Sequence, residues 1–337
     1  MLRLIEMLIP EKKKTDAEVI LKEQENVLDF WYDNVSEKQV LVKILIPAEK
    51  SQSVLDELED KFGSYEQFRM LLFPVNASIP RVEEEEKEEE KSKEEKEKEK
   101  ENQFTISREE LYSNIVDKSS LNRVFILLIL LSSIVAAIGV LRGDIAVIIG
   151  AMVIAPLLGP NVGLSLATTL ADSDLGKRAL KTNAFGILIS FLVALAIGLF
   201  LTVDPDIPIL ASRTKVSLGD IVLALAAGSA GSIAFTRGLS EYLIGVMVAL
   251  ALVPTLVASG LLVGAGYFEL AVGALLLFLV NLICINLAGV MTFLVQGIKP
   301  RSWWEADKAK RLSRLSLAIW ITLLAVLIAV IAYLEYL

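Results

Sequence analysis

The sequence contains no histidine, and its one cysteine is Cys284. Without histidine there is no His-based catalytic triad, no His-ligated haem and no Cys/His zinc site, and a lone thiol cannot build a disulfide framework. These absences argue against an enzyme, and no cofactor motif appears. Basic and aromatic residues are not interleaved as nucleic-acid binding requires, so no nucleic-acid partner is expected. A secretory leader is missing too: Met1 to Pro10 mixes Arg3 and Glu6 into a short apolar stretch with no small-residue cleavage site, and reads as part of the folded protein.

What the chain has in abundance is apolar length. Mean hydropathy is +0.57 over 337 residues, yet charge is crowded into the first third and the 299–314 loop. The remainder divides into seven apolar segments: Val124 to Leu141, Ile145 to Leu170, Ala179 to Val203, Leu218 to Phe235, Tyr242 to Gly264, Phe268 to Val295 and Leu315 to Leu334. Each is long enough to cross a hydrocarbon core of roughly 30 Å as a helix. Lys118, Arg123, Lys177, Arg178, Lys181, Arg237 and the basic residues of 299–314 fall in one set of loops. The other set holds only Arg142, Arg213 and Lys215. By the positive-inside bias this is a multi-pass protein of the cell membrane, with a cytoplasmic N-terminus and an extracellular C-terminus.

The first 80 residues follow different rules. Leu2 to Ile9 and Val40 to Ile46 have strand character, the latter with Val40, Val42, Ile44 and Ile46 on one face and Lys43 on the other. Thr15 and Glu18 have capping-box spacing ahead of a helical run; Leu28, Phe30 and Tyr32 alternate as a strand; Ser51 or Ser53 can cap a helix that stops at Gly63; Phe68 to Val75 is a last strand. The order βαββαβ predicts a cytoplasmic ferredoxin-like domain, an α+β sandwich over 1–80. The Glu/Lys run within 81–103 accounts for most of the net charge of −8 and is too polar to bury a core, so it reads as a linker. Ser107 and Glu110 then cap a juxtamembrane helix within 104–120. The transmembrane domain, an all-α bundle of about seven helices, fills 121–337.

A shift of about 95 residues aligns Arg142, Gly143, Ile149, Gly150, Met152 and Val153 with Arg237, Gly238, Ile244, Gly245, Met247 and Val248. The unit is three segments, 121–203 against 217–297, with an extra helix in 312–337. An odd number of spans makes this an inverted repeat, the architecture of many secondary transporters. Pro156, Gly159, Pro160 and Asn161 fall near the middle of segment two, where prolines remove N–H groups and clash with the preceding turn. Pro254 and Thr255 fall close to the corresponding point of segment five. Paired interruptions near the midplane point to a substrate site, because freed backbone groups are tolerated there only around a shielded cavity. Asn183 is a further polar residue within the spans; Asn281 and Asn286 add buried amides that need partners, whereas Gly228 to Ser232 reads as close helix packing.

Several stretches carry a family resemblance. They are Ile106-Ser-Arg-Glu-Glu-Leu-Tyr112, Gly150-Ala-Met-Val-Ile-Ala-Pro-Leu-Leu-Gly-Pro160, Leu225-Ala-Ala-Gly228 with Thr236-Arg-Gly238, and Leu277-Phe-Leu-Val-Asn281. Over nearly its whole length the chain resembles a prokaryotic family of uncharacterised hydrophobic-domain membrane proteins, one of the numbered domains of unknown function. Where that family usually has a double proline, this chain has Pro254-Thr255. The resemblance implies a membrane protein and assigns no substrate. The expectation is a transporter or channel-like protein for a small solute or ion, associated as a homo-oligomer; a membrane-anchored sensor or scaffold is the alternative.

Overall fold

The computed structural model describes residues 2–24, 26–36, 38–65, 68–75, 78, 107–237, 241–298 and 317–332. The 81–103 linker, Gly238 and the basic loop 299–314 lie outside the described residues. Two compact units, Met1–Tyr112 and Ser113–Leu337, divide the chain.

In the N-terminal unit, β1 (Leu2–Pro10), β2 (Asp29–Ser36), β3 (Gln39–Pro47) and β4 (Arg69–Val75) form one antiparallel sheet in the order β2-β3-β1-β4. The helices α1 (Lys14–Glu23) and α2 (Ser51–Phe62) supply the rest of its core. Strict alternation decides what is buried: Ile5, Met7 and Ile9 of β1 and Val40, Val42, Ile44 and Ile46 of β3 are fully enclosed with Ala17, Leu21, Leu58 and Phe62. On the opposite face the register sets Leu71, Glu6, Lys43 and Trp31 in a row across the four strands. Lys43 reaches Asp33 at 2.6 Å and Glu6 at 3.9 Å, and its pKa is raised chiefly by the hydrogen bond to Asp33.

Neither helix starts with the cap that the sequence suggests. β1 and β3 both end in an Ile-Pro pair and pass through a single 3-10 turn, Glu11–Lys13 and Ala48–Lys50, into their helices. α1 therefore begins before Thr15, and Glu18 pairs with Lys22 instead of closing a capping box. Ser51 and Ser53 donate backward to the carbonyls of Ala48 and Lys50 and cap nothing. The strand-Pro-turn-helix sequence occurs twice, and proline supplies both turns. At 107–110 half of the expected box exists: Ser107 Oγ accepts from the Glu110 amide at the start of α3 (Arg108–Lys118), while the Glu110 carboxylate takes a 3.0 Å ion pair from the buried Arg3.

The membrane unit follows as α4 (Arg123–Arg142), α5 (Ile145–Ile154), α6 (Leu158–Leu170), α7 (Ser173–Phe200), the one-turn helix Pro208–Ala211, α8 (Leu218–Thr236), α9 (Glu241–Gly264), α10 (Phe268–Val295) and α11 (Leu317–Ala332). Among the described residues α4, α7, α8 and α10 are long and apolar enough to span a membrane, and the bent pair α5–α6 brings the number to five when it is counted as one span. Burial is inverted relative to a water-soluble bundle. α4 turns Leu127, Leu131, Ile134 and Ile138 outward while enclosing Ser132, Ser133, Ala136 and Gly139. That is the arrangement expected where lipid is the solvent and small or polar residues hold helices together. Asp144 is the N-cap of α5 and Asp220 completes a capping box with Ser217, the N-cap of α8, so these carboxylates sit at helix ends.

Segment two is broken as expected, but segment five is not. α5 and α6 meet at 54° across Ala155–Leu157, with Ala155 extended (φ −66°, ψ 121°), the conformation that a following proline favours. α9 carries Pro254 inside a continuous helix. At about 1.5 Å per residue, the ten residues of α5 advance about 15 Å, half the hydrocarbon core. After the bend, α6 adds roughly 11 Å along the same direction, so the pair continues across instead of turning back.

Glycines set the closest helix approaches. α7 and α9 touch through Gly198, Gly260 and Gly264: a Cβ on Gly198 would strike the Leu261 backbone, and one on Gly260 would lie 2.8 Å from the Phe191 carbonyl. Gly228 of α8 lies against α10, where a Cβ would stand 2.7 Å from the Ile285 carbonyl, so the Gly228 to Ser232 stretch does pack helices closely. Gly150 has open space around it. Gly260→Val is therefore expected to destabilise the detergent-solubilised protein by about 1–3 kcal/mol through overpacking, with Gly150→Ala near neutral. Thermal melting of the two variants checks the contrast.

Candidate functional site

The helix break creates the site. Pro156 has no N–H to offer the Met152 carbonyl, and Pro160 has none for the carbonyl of Pro156 itself, so two helical hydrogen bonds vanish one turn apart. Pro160 lies in the first turn of α6, where a missing N–H costs nothing. It helps α6 begin, and the bend stays at Ala155–Leu157.

Side chains supply hydrogen bonds around the break. Ser132 Oγ donates to the Ala151 carbonyl at 2.9 Å, Asn161 Nδ2 to Leu157 at 2.7 Å and Ser119 Oγ to Gly159 at 3.2 Å. The Ser119 carbonyl in turn accepts from Thr182 Oγ1 at 2.8 Å, joining the turn before α4 to α7. Gly163 makes room for that turn, since a Cβ there would strike Ser119 Oγ.

Just past the break, three amides from three helices meet. Asn161 Oδ1 accepts from Asn183 Nδ2 of α7 and from Asn286 Nδ2 of α10, both at 2.9 Å. Asn286 Nδ2 also donates to the Leu282 carbonyl at 2.8 Å. Ser165, one turn beyond Asn161, donates to the carbonyls of Asn161 and Asn286 at 3.2 Å, and Thr169 continues the ridge by donating to Ser165. Gly289 accommodates this ridge: a Cβ there would stand 2.5 Å from Ser165 Oγ. Asn161 and Asn286 are fully buried and Asn183 is 3% exposed. Asn183 Oδ1 has no hydrogen-bond partner among the described residues. An enclosed amide oxygen of this kind is an acceptor ready for a water, a donor group or a cation.

In front of the break lies a cavity of about 410 Å³, lined by Asp117, Lys118, Ser120 and Asn122 at a polar end and by Val124, Phe125, Leu128, Val153, Ile154 and Phe235 along its walls, with Pro156 and Gly159 at the break. Lys118 Nζ stands 5.0 Å from the Phe235 ring centroid, a cation–π contact.

The residues singled out in the sequence are thus partly gathered. Pro156 and Gly159 line the cavity, Pro160 starts α6, and Asn161 and Asn286 join the amide cluster. Pro254 and Thr255 are buried in α9, where Thr255 Oγ1 donates to the Leu252 carbonyl of its own helix at 2.9 Å. Val253 and Val257 share one apolar cluster with Ala155 and Leu157, so the two proline positions flank the same core although only one breaks a helix. Asn281 is buried on α10 but is turned about 140° around that helix from Asn286. Ser119, Ser165 and Lys118 are contributors the sequence reading missed; the i, i+4, i+8 spacing of Asn161, Ser165 and Thr169 is the signal that marks the polar ridge.

Residues 152–287 match the domain of unknown function (DUF389). The uncharacterized protein MJ0678 of Methanocaldococcus jannaschii is 34% identical over 292 residues, which cover 87% of each chain. The chain belongs to the DUF389 family. The DUF389 segment starts three residues before Ala155 and ends one residue after Asn286, so it holds the break and the whole amide cluster. No solved structure matches the chain.

The cluster has a centre, because Asn161 bonds both other amides. Asn161→Leu leaves two buried NH2 groups short of an acceptor and is expected to cost about 1–3 kcal/mol for each. Asn183→Leu removes an amide whose oxygen already lacks a partner, and is expected to cost less. Melting temperatures of the two variants in one detergent test the ranking; equal losses would mean that Asn161 is not the centre.

Proposed function

We propose that this DUF389 protein is a transporter or channel-like protein for a small solute or ion, without enzymatic activity. The observation that carries the reading is a broken apolar segment, with three buried amides from three helices converging just behind the break and one carboxamide oxygen left unpaired among the described residues. Irregular backbone and unsatisfied polar groups are costly in hydrocarbon and are retained where they face a pathway or ligand.

The membrane unit is read as seven spans: α4, α5–α6 and α7 as one repeat, α8, α9 and α10 as its inverted copy, and α11 as the extra helix. Pairings support this. α4 packs on α5 and α7 as α8 packs on α9 and α10; α6 packs on α7 as α9 packs on α10; and α9 crosses to α7 as α6 crosses to α10. Pro156 and Pro254 are 98 residues apart, and so are Asn183 and Asn281. The N-terminal unit is read as a ferredoxin-like regulatory domain, a reading supported by its element order and by the sheet order β2-β3-β1-β4. The N-terminus is assigned to the cytoplasm and the C-terminus to the outside by the distribution of Lys and Arg.

A second reading, a sensor or scaffold that assembles into homo-oligomers, has one observation in its favour. The sheet face away from the helices exposes Trp31, Leu71 and Phe73. Large apolar side chains exposed together mark a contact surface.

Two experiments test these assignments. In a Cys284→Ala background, Asp174→Cys and Ser212→Cys should be labelled from opposite sides of intact cells, and labelling from one side would overturn the topology. In proteoliposomes challenged with a panel of ions and small polar solutes, the protein should give a solute-dependent current or uptake. Asn161→Leu should lower that signal at least about tenfold, the cost of one lost charge-free polar contact or more, while the outward-facing Leu127→Ala leaves it unchanged. Absence of any protein-dependent flux across the panel favours the scaffold.

A further inference from the structure

We infer that the cavity in front of the helix break is a binding site for a zwitterionic phospholipid. This goes beyond the transport reading and stands whether or not the bundle moves a solute.

The lining is divided by chemistry along its length. The polar end comes from the last residues of α3 and the turn after it: Asp117, Lys118, Ser120 and Asn122. Asn122 is the N-cap of α4, so these residues stand where the chain enters its first long apolar helix, at the level of lipid headgroups. The apolar walls run inward along Phe125 and Leu128 to Val153 and Ile154 at the end of α5. The cavity therefore joins the polar end of α3, where Gly159 packs on Lys118, to the apolar end of α5 at Val153 and Ile154. A small hydrophilic solute would leave these walls uncovered. A molecule with a polar head and a hydrocarbon tail covers both ends.

Charge narrows the head. Lys118 supplies a cation for a phosphate, held beside the Phe235 ring, and Ser120 and Asn122 add hydrogen-bonding groups. Asp117 lines the same end and carries the opposite sign. A purely anionic head meets repulsion from Asp117 and a purely cationic one from Lys118, whereas a phosphate joined to an ammonium satisfies both. The walls include Val124 and Val153, 63% and 38% exposed on the outer surface, so a lipid can enter sideways from the bilayer without the core opening.

The test uses the full-length protein in detergent with short-chain phosphatidylethanolamine, read by native mass spectrometry and thermal shift. Three further probes are glycerophosphoethanolamine, which has the head without chains, short-chain diacylglycerol, which has chains without the head, and inorganic phosphate. Phosphatidylethanolamine should bind and raise the melting temperature, and the other three should do so at least about tenfold more weakly, as expected when one charge-assisted hydrogen bond or the apolar contact is lost. Lys118→Ala should weaken lipid binding by a similar factor and Lys118→Arg restore most of it. Val153→Trp changes a partly exposed wall residue and fills the cavity; it should abolish binding while melting like the parent in lipid-free detergent. Equal stabilisation by inorganic phosphate or the headgroup fragment would overturn the proposal in favour of a small-anion site. Binding that survives both Val153→Trp and Lys118→Ala would overturn it as nonspecific adsorption.

Discussion

In hydrocarbon a backbone carbonyl has no water to turn to, and the membrane unit is organised around that constraint at one place. Between Ala155 and Leu157 the chain gives up helical hydrogen bonding inside an apolar segment. Each neighbouring element then contributes a side chain: Ser132 from α4, Asn161 from α6, and Ser119 from the turn that precedes α4. These side chains bind carbonyls that flank the break, Ala151 accepting from the Ala155 N–H as well, and not the carbonyls of Met152 and Pro156 that the prolines deprive. Once Asn161 has donated one N–H to Leu157, its oxygen becomes the acceptor on which Asn183 and Asn286 converge.

Such a polar centre requires helices close enough to bring short side chains into reach. Glycine supplies the distance. Gly289 lets Ser165 approach α10, Gly163 lets Ser119 approach α6, and Gly198, Gly260 and Gly264 let α7 and α9 touch backbone to backbone. Lipid gives no hydrophobic drive for helices to associate, so contact area and interhelical hydrogen bonds hold the bundle together. Both depend on the absence of Cβ atoms at these positions. The large aliphatic residues, which would form the core of a water-soluble protein, are turned outward along α4 and α7.

The N-terminal unit was almost fully legible in the sequence because a strand has a period of two, and β1 and β3 alternate without a fault over nine residues each. What was not legible was the start of its helices. The Thr15–Glu18 spacing satisfies the rule for a capping box, but Pro10 and Pro47 had already fixed the turn upstream, and the helices begin before any cap is needed. In the membrane unit, hydropathy located α4, α8 and α10 to within a residue or two, while α7 begins six residues before the apolar segment does. It gave no helix faces: nearly every residue is apolar, so the stripe that distinguishes inside from outside is absent, and Lys118 and Ser119 looked like ordinary flanking residues.

The unequal behaviour of Pro156 and Pro254 shows what breaks a helix here. A single proline removes one hydrogen bond and crowds one preceding turn, and α9 absorbs this at Pro254 while remaining helical. Neighbouring helices bury that stretch on all sides, Val253 and Val257 being fully enclosed. Segment two differs in having a second proline four residues after the first, at Pro160, with Gly159 before it. The two prolines cancel hydrogen bonds in successive turns, so no intact turn bridges the gap, while Pro160 at the same time suits the first turn of a new helix. The lower-energy solution is to end α5 at Ile154, extend Ala155 and begin again at Leu158. Two prolines at helical spacing therefore separate a broken span from a merely strained one, and the amide cluster lies behind the broken span.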